Sequence, residues 1–190
     1  LPELGRVLRE DIPFRAFIIA RMFTSLFMMA APFYIGFATV QLRMSSEVAV
    51  PGLLATQPIG SVAAALVYTW LGARNNLLYI QLALFGTALV PICALLAVAA
   101  GPLPLYVGFL LSGLATSNLL LGQHNWIVGY ADSDKRPVYV GLSNTIAAVV
   151  SLIAPFIGGV IAQSVGYEAL FGVALVMTLG ALFVTVRYIP

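Results

Sequence analysis

The chain has 190 residues, of which 61% are hydrophobic and 8% are charged, and its mean hydropathy is +1.01. Soluble domains carry about 25% charged residues, so a chain this apolar cannot cover a water-facing surface. The net charge is only +2 and the basic residues are scattered, which excludes a nucleic-acid-binding patch. With one cysteine, Cys93, and one histidine, His124, neither an intramolecular disulfide nor a Cys/His metal site can form. The composition predicts an all-α integral membrane protein without a metal or another cofactor.

The first twelve residues form a charged stretch that differs from the rest of the chain. Leu1, Leu4, Val7 and Leu8 recur at helical spacing between charged side chains, which is typical of a short amphipathic helix on the cytoplasmic membrane surface. A solvated linker fits residues 1–12 equally well. The chain starts with Leu1 rather than Met and shows no signal peptide with a cleavage site, so we expect a fragment of a longer protein.

Six apolar stretches follow, and each is long enough for a membrane-spanning helix, which takes about 20 residues. Polar or Gly/Pro segments separate them, for example Gly101-Pro-Leu-Pro104, where proline cannot continue a helix. Together they predict a six-helix transmembrane domain over residues 13–190. The predicted spans are about 14–40, 48–71, 76–100, 105–130, 138–163 and 168–188.

The basic residues of the predicted loops and chain ends are distributed unequally between the two sides of the membrane. Arg43 is the one basic residue predicted on one side. Seven basic residues are predicted on the other side: Arg6, Arg9, Arg15, Arg74, Lys135, Arg136 and Arg187. Cytoplasmic loops carry an excess of Lys and Arg, so both termini are predicted to be cytoplasmic. We expect a multi-pass protein of the plasma membrane, which would be the inner membrane in a bacterium.

Arg21 is the one basic residue inside a predicted span. A charge within the membrane is costly and is a candidate functional residue. The spans contain no Asp or Glu away from their ends, so the sequence shows no acidic partner for Arg21 at its depth. Either the side chain extends to the cytoplasmic surface, or it pairs with a substrate anion or with a part of the protein outside this chain.

Several uncharged polar residues join Arg21 as candidates for a substrate cavity. His124, Asn125 and Asn144 lie at a similar predicted depth, and Asn118 shares one helix face with Asn125. Gln57 is a single amide on a largely apolar helix. These side chains either line an aqueous cavity or hydrogen-bond neighbouring helices as packing contacts. His124 is also a candidate proton relay, because histidine titrates near neutral pH.

The fifth predicted span resembles the signature G-x8-G-x3-G-P-x2-G-G of the major facilitator superfamily. Val150 and Ala154 replace two of its glycines. Small residues permit close helix approach and proline bends a helix, which suits a structural or gating role. The matching residues are Gly141, Pro155, Gly158 and Gly159.

The loop after the second span is similar to that family's other motif, G-x-L-a-D-[RK]-x-G-[RK]-[RK]. Gly72 and Arg74 match it, whereas Thr69 stands in place of the aspartate and Trp70 in place of the first basic residue. Such loss is typical of the second-half copy of this loop. The resemblance therefore implies the C-terminal six-helix half of a twelve-helix bundle built from a 3+3 inverted repeat.

That resemblance implies a secondary transporter that moves a small solute by alternating access, with the first, second, fourth and fifth spans around the cavity. Its partners would be the lipid bilayer, a small-molecule substrate and the missing N-terminal half. Two alternatives remain: a half-transporter that assembles from two copies, and a permease subunit of another class. An enzyme is not expected, because an intramembrane serine protease needs G-x-S-G and a histidine on another helix. Here Leu110 occupies the glycine position before Ser112, and His124 follows in the same span.

Overall fold

The computed structural model describes residues 10–72 and 74–189, and at Gly72 and within 114–118 it describes the backbone alone. Most of the predicted amphipathic segment, residues 1–9, lies outside the described residues. The helices in the described part are α1 (Ile12–Phe27), α2 (Phe33–Val40), α3 (Ser46–Val67), α4 (Asn76–Ala100), α5 (Leu103–Tyr130), α6 (Arg136–Ser164) and α7 (Tyr167–Tyr188). A 3₁₀ turn, Met28–Ala30, joins α1 to α2, and a π turn, Tyr68–Gly72, extends α3.

Five helical segments of the described residues are long and apolar enough to cross a membrane. They are Ile12–Val40, Ser46–Leu71, Asn76–Ala100, Arg136–Ser164 and Tyr167–Tyr188. The remaining long helix, α5, has 28 residues and carries a shorter apolar segment, Leu103–Gly113. The all-helical class is therefore confirmed, with five helices able to cross a membrane, while a total of six spans stays a prediction.

Side-chain caps and special backbone positions define the ends of these helices. The Asp11 carboxylate accepts a hydrogen bond from the amide of Phe14 (3.0 Å) and caps α1. Asn75 caps α4 in the same way through the amide of Leu78 (2.9 Å). Gly101 and Gly166 have φ angles of 81° and 107°, so the tight turns before α5 and α7 favour glycine.

The helices pack in two groups. α1 packs against α6 and α7, whereas α5 packs against α3 and α4. Contact between α4 and α7 joins the groups. One hydrophobic cluster contains Phe14 and Phe17 near the start of α1, and the other begins at Phe27 at its end. The middle of α1, where Arg21 lies, therefore falls between the two apolar clusters.

Two glycines let helices cross at backbone contact. A Cβ atom at Gly158 would lie 2.3 Å from the Met29 carbonyl oxygen, and one at Gly113 would lie 1.9 Å from the Gln57 carbonyl oxygen. Any side chain at either position would clash with backbone. The sequence motif indicated Gly158 but gave no signal for Gly113. A Cβ atom at Gly141 would meet nothing within 4 Å, so close packing does not explain a glycine there.

Candidate substrate cavity

The Arg21 side chain connects α1 to α6 inside the helix bundle. Its guanidinium donates hydrogen bonds to the Ser143 hydroxyl (2.6 Å) and to the Asn144 side-chain oxygen (2.8 Å). Arg21 is 7% exposed and Ser143 is fully buried. The guanidinium therefore bonds to a neighbouring helix instead of extending along α1 to the membrane surface. Asn144 was a predicted candidate, whereas Ser143 was not, because a serine beside an asparagine carries no separate sequence signal.

No carboxylate balances the charge of Arg21 within the described part of the chain. Both of its acceptors are uncharged oxygens. The acidic residues of that part all lie at helix starts or in the connecting segments: Glu10, Asp11, Glu47, Asp132, Asp134 and Glu168. As the sequence predicts, no described carboxylate pairs with Arg21. Its two hydrogen bonds nevertheless hold the guanidinium against α6.

Two cavities border Arg21. The first has a volume of about 260 Å³, and its polar lining also includes Thr24, Ser25, Thr87, Gln123 and Ser151. The second has a volume of about 370 Å³ and is lined by Arg21, Leu120, Leu121, His124 and Asn144. The lining of these two cavities therefore includes hydroxyl, amide and imidazole groups from α1, α4, α5 and α6. Gln123, which is 6% exposed, was missed by the sequence analysis because it lies next to the more conspicuous His124.

The other predicted candidates lie in different surroundings. The Asn125 amide donates a hydrogen bond to the Tyr68 hydroxyl, which makes it a contact between α5 and the π turn after α3. Gln57 lines a separate cavity of about 150 Å³, together with Tyr34 and Ser112. The side chain of Asn118 lies outside the described residues. Of the predicted cavity residues, the structure thus brings Arg21, His124 and Asn144 together.

The predicted structural residues also have identifiable neighbours. The Arg74 guanidinium lies 5.4 Å from the centroid of the Trp70 ring and makes a cation–π contact with it. Trp70 occupies the position of the first basic residue of the family motif. Pro155 lies within α6, where it interrupts the backbone hydrogen bonding. Gly159 faces Phe33 at an ordinary contact distance of 3.6 Å.

A second polar cluster ties three helices together near the start of α1. The Asp11 carboxylate accepts hydrogen bonds from the hydroxyls of Tyr130 (2.6 Å) and Tyr139 (2.7 Å). These tyrosines end α5 and begin α6, and Tyr139 also packs on Phe14 with ring centroids 4.2 Å apart. The sequence alone places Asp11 in a linker segment, because its two tyrosine partners are more than a hundred positions away.

Comparison with known proteins provides a family but no individual relative. Residues 14–190 match the family model described as Major Facilitator Superfamily. Searches of curated proteins and of solved structures found no match. Because the family model covers nearly the whole chain, this chain belongs to the Major Facilitator Superfamily.

Proposed function

We propose that this chain is the C-terminal six-helix half of a secondary active transporter that moves a small solute by alternating access. The observation that carries the proposal is the buried Arg21, which bridges α1 and α6 and borders two largely apolar cavities that also contain several polar side chains. A charged side chain in the interior of a membrane protein marks a substrate or ion pathway. Family membership and the apolar helices support the same activity.

The packing of the long helices supports a 3+3 inverted repeat. If the spans are numbered one to six, with α5 as the fourth, the first packs against the fifth and sixth. The fourth packs against the second and third. If spans one and four, two and five, and three and six are exchanged, the contacts of the first span become the contacts of the fourth. Secondary transporters commonly contain repeats of this kind, with the substrate site between them.

A short sequence similarity agrees with that exchange. Ile59-Gly-Ser-Val62 in α3 resembles Ile157-Gly-Gly-Val160 in α6. Ser61, from the first segment, donates a hydrogen bond to the Gly113 carbonyl on α5 (3.1 Å). Gly158, from the second, meets the backbone of Met29. Both segments thus lie at a close backbone contact within their own group.

Two helices expose apolar faces that a second six-helix unit would cover. In the most apolar 18 residues of each span, 17% are buried for Ser46–Leu71 and 11% for Arg136–Ser164, against 33% to 50% for the other three. These two helices are partners in the proposed repeat. We infer that the N-terminal half of the full protein packs on them. Six further apolar stretches encoded upstream of Leu1 would support this; a start codon directly before it would point to two copies.

Transport by the full natural chain in liposomes tests the proposed function. Labelled solutes of four classes are offered: organic acids and phosphates, sugars and polyols, amines, and amino acids. We expect saturable uptake of at least one solute, and faster labelled uptake when the liposomes are preloaded with that solute unlabelled. Such exchange requires a carrier that alternates between two sides. Uptake no different from empty liposomes for every class, or uptake that never saturates, would contradict the proposal.

A further inference from the structure

Hydrogen bonds hold the Arg21 guanidinium in position, but no described residue provides a negative charge beside it. Two hydrogen bonds, to Ser143 and Asn144, hold the guanidinium. Guanidinium has five N–H donors, so these bonds leave donors for another acceptor. Removal of a charge from water is unfavourable unless an opposite charge and hydrogen bonds compensate it. The described residues supply the hydrogen bonds but no negative charge.

The surroundings of Arg21 suit an oxyanion better than a cation or a purely neutral molecule. The two cavities that it borders present the Ser25 hydroxyl and the side-chain amides of Gln123 and Asn144 as hydrogen-bond donors. His124 lines the second cavity, where its imidazole can donate one further N–H hydrogen bond. A cation at this place would meet the guanidinium without a described carboxylate to offset the repulsion.

We propose that the transported solute is a small anion whose carboxylate or phosphate group binds to the guanidinium of Arg21 in these cavities. Arginine presents paired N–H groups that match the two oxygens of such a group. Ser143 and Asn144 position the guanidinium through their two hydrogen bonds. This inference rests on the proposed transport function and adds the chemical class of the substrate.

The first test is the charge of the solute identified by uptake into liposomes. The panel includes succinate, lactate, glycerol 3-phosphate and inorganic phosphate as anions, and glucose, glycerol, choline and alanine as the other classes. We expect uptake of one or more anions only. Uptake of glucose, glycerol, choline or alanine without any anion would overturn the anion proposal and leave the transporter standing. No uptake of any solute would instead contradict the transport function itself.

The second test compares binding of the transported anion with binding of its neutral analogue, the amide of a carboxylate or the alcohol of a phosphate ester. In Arg21→Gln, where the charge is lost, we expect affinity for the anion to fall at least about tenfold, the size of one charge-assisted contact. In Asn144→Asp, a carboxylate would take the place of the substrate charge, so a similar fall is expected. The neutral analogue should bind weakly to all three proteins.

Arg15→Gln is the matched control, because Arg15 is an exposed arginine on the same helix. Its affinity for the anion should stay within about twofold of wild type, since exposed charges are screened by solvent. Equal loss of anion and neutral analogue in Arg21→Gln would assign Arg21 a structural role and overturn the proposal. Arg21→Lys keeps the charge without the paired donors and should retain part of the affinity, which shows that the site still folds.

Discussion

At the scale of single residues, polar side chains in this bundle serve as connections between helices that are distant in sequence. Arg21 joins α1 to α6, and Asp11 joins α1 to the ends of α5 and α6. In the apolar interior of a membrane protein an unpaired polar group is costly, and Arg21 and Asp11 are each held by hydrogen bonds to side chains of other helices. A sequence reveals which residues need partners but not which residues supply them.

Asp11→Ala should destabilise the fold by about 1–3 kcal/mol, because it removes a helix cap and two tyrosine hydrogen bonds to a carboxylate. The measurement is thermal unfolding of the purified protein in detergent, where we expect a lower Tm. Asp134→Ala is the control, since Asp134 is exposed and accepts its hydrogen bond from the adjacent Ser133. An equal Tm for both variants would mean that the Asp11 cluster contributes nothing to stability.

The loss of anion affinity expected for Arg21→Gln is likewise the effect of a single side chain. A single buried guanidinium carries the expected selectivity for an anion, and the exposed Arg15 does not share its environment. Arg21→Gln should therefore lower uptake of the anion while Arg15→Gln leaves it near wild type, at matched amounts of protein in the membrane. Equal uptake by the Arg21 variant and wild type would remove Arg21 from the substrate site.

At the scale of helices, close crossings depend on small residues whose position cannot be judged from composition alone. Gly113 and Gly158 lie against the backbone of a neighbouring helix, whereas Gly141 faces open space. The family motif contains both Gly141 and Gly158, so the motif does not separate a packing glycine from one that serves another purpose. Gly113 belongs to no motif and became evident from the crossing of α3 and α5.

Gly113→Ala and Gly158→Ala should each cost about 1–3 kcal/mol, because the new methyl group would force two helix backbones apart. Gly141→Ala should be neutral or stabilising by up to about 1 kcal/mol, since alanine favours helix more than glycine does. Thermal unfolding of the three variants in one detergent tests the difference. A Gly158 variant as stable as the Gly141 variant would show that the close crossing is not needed.

At the scale of the whole molecule, the charge bias and the helix count together predict how the protein sits in the membrane. The basic residues favour a cytoplasmic location for the segment between α5 and α6 and an external one for the segment after α2. An even number of spans is required if both termini lie on the same side. Cytoplasmic termini therefore predict that α5 is a further span in addition to the five apolar ones.

Ser45→Cys and Ser133→Cys, each in a Cys93→Ser background, test this topology with a matched pair of exposed serines. A membrane-impermeant maleimide added to intact cells should label the Ser45 variant at once. The Ser133 variant should react only after permeabilisation, because its segment carries Lys135 and Arg136 on the predicted cytoplasmic side. The reverse pattern would invert the orientation, and labelling of both from outside would contradict a span at α5.

The helical class, the helix positions and the family follow from the sequence by itself. Apolar stretches of sufficient length must form helices in a membrane, because backbone hydrogen bonds have to be made within the segment. This requirement is local, so the predicted span at 76–100 coincides with α4 and the one at 168–188 nearly coincides with α7. The interruption between α1 and α2 was not predicted, since Pro32 lies in a stretch that reads as continuously apolar.

Only the tertiary structure decided which polar residues meet. Arg21 and Asn144 meet because α1 packs against α6, and His124 on α5 borders the same cavity. Asn125 instead bonds to Tyr68, and Gln57 lines another cavity. Ser143, Gln123 and the tyrosine partners of Asp11 are brought in by the same packing. Helix formation depends on neighbours in the chain, whereas a site depends on the rotation and crossing of whole helices, which contacts between distant residues determine.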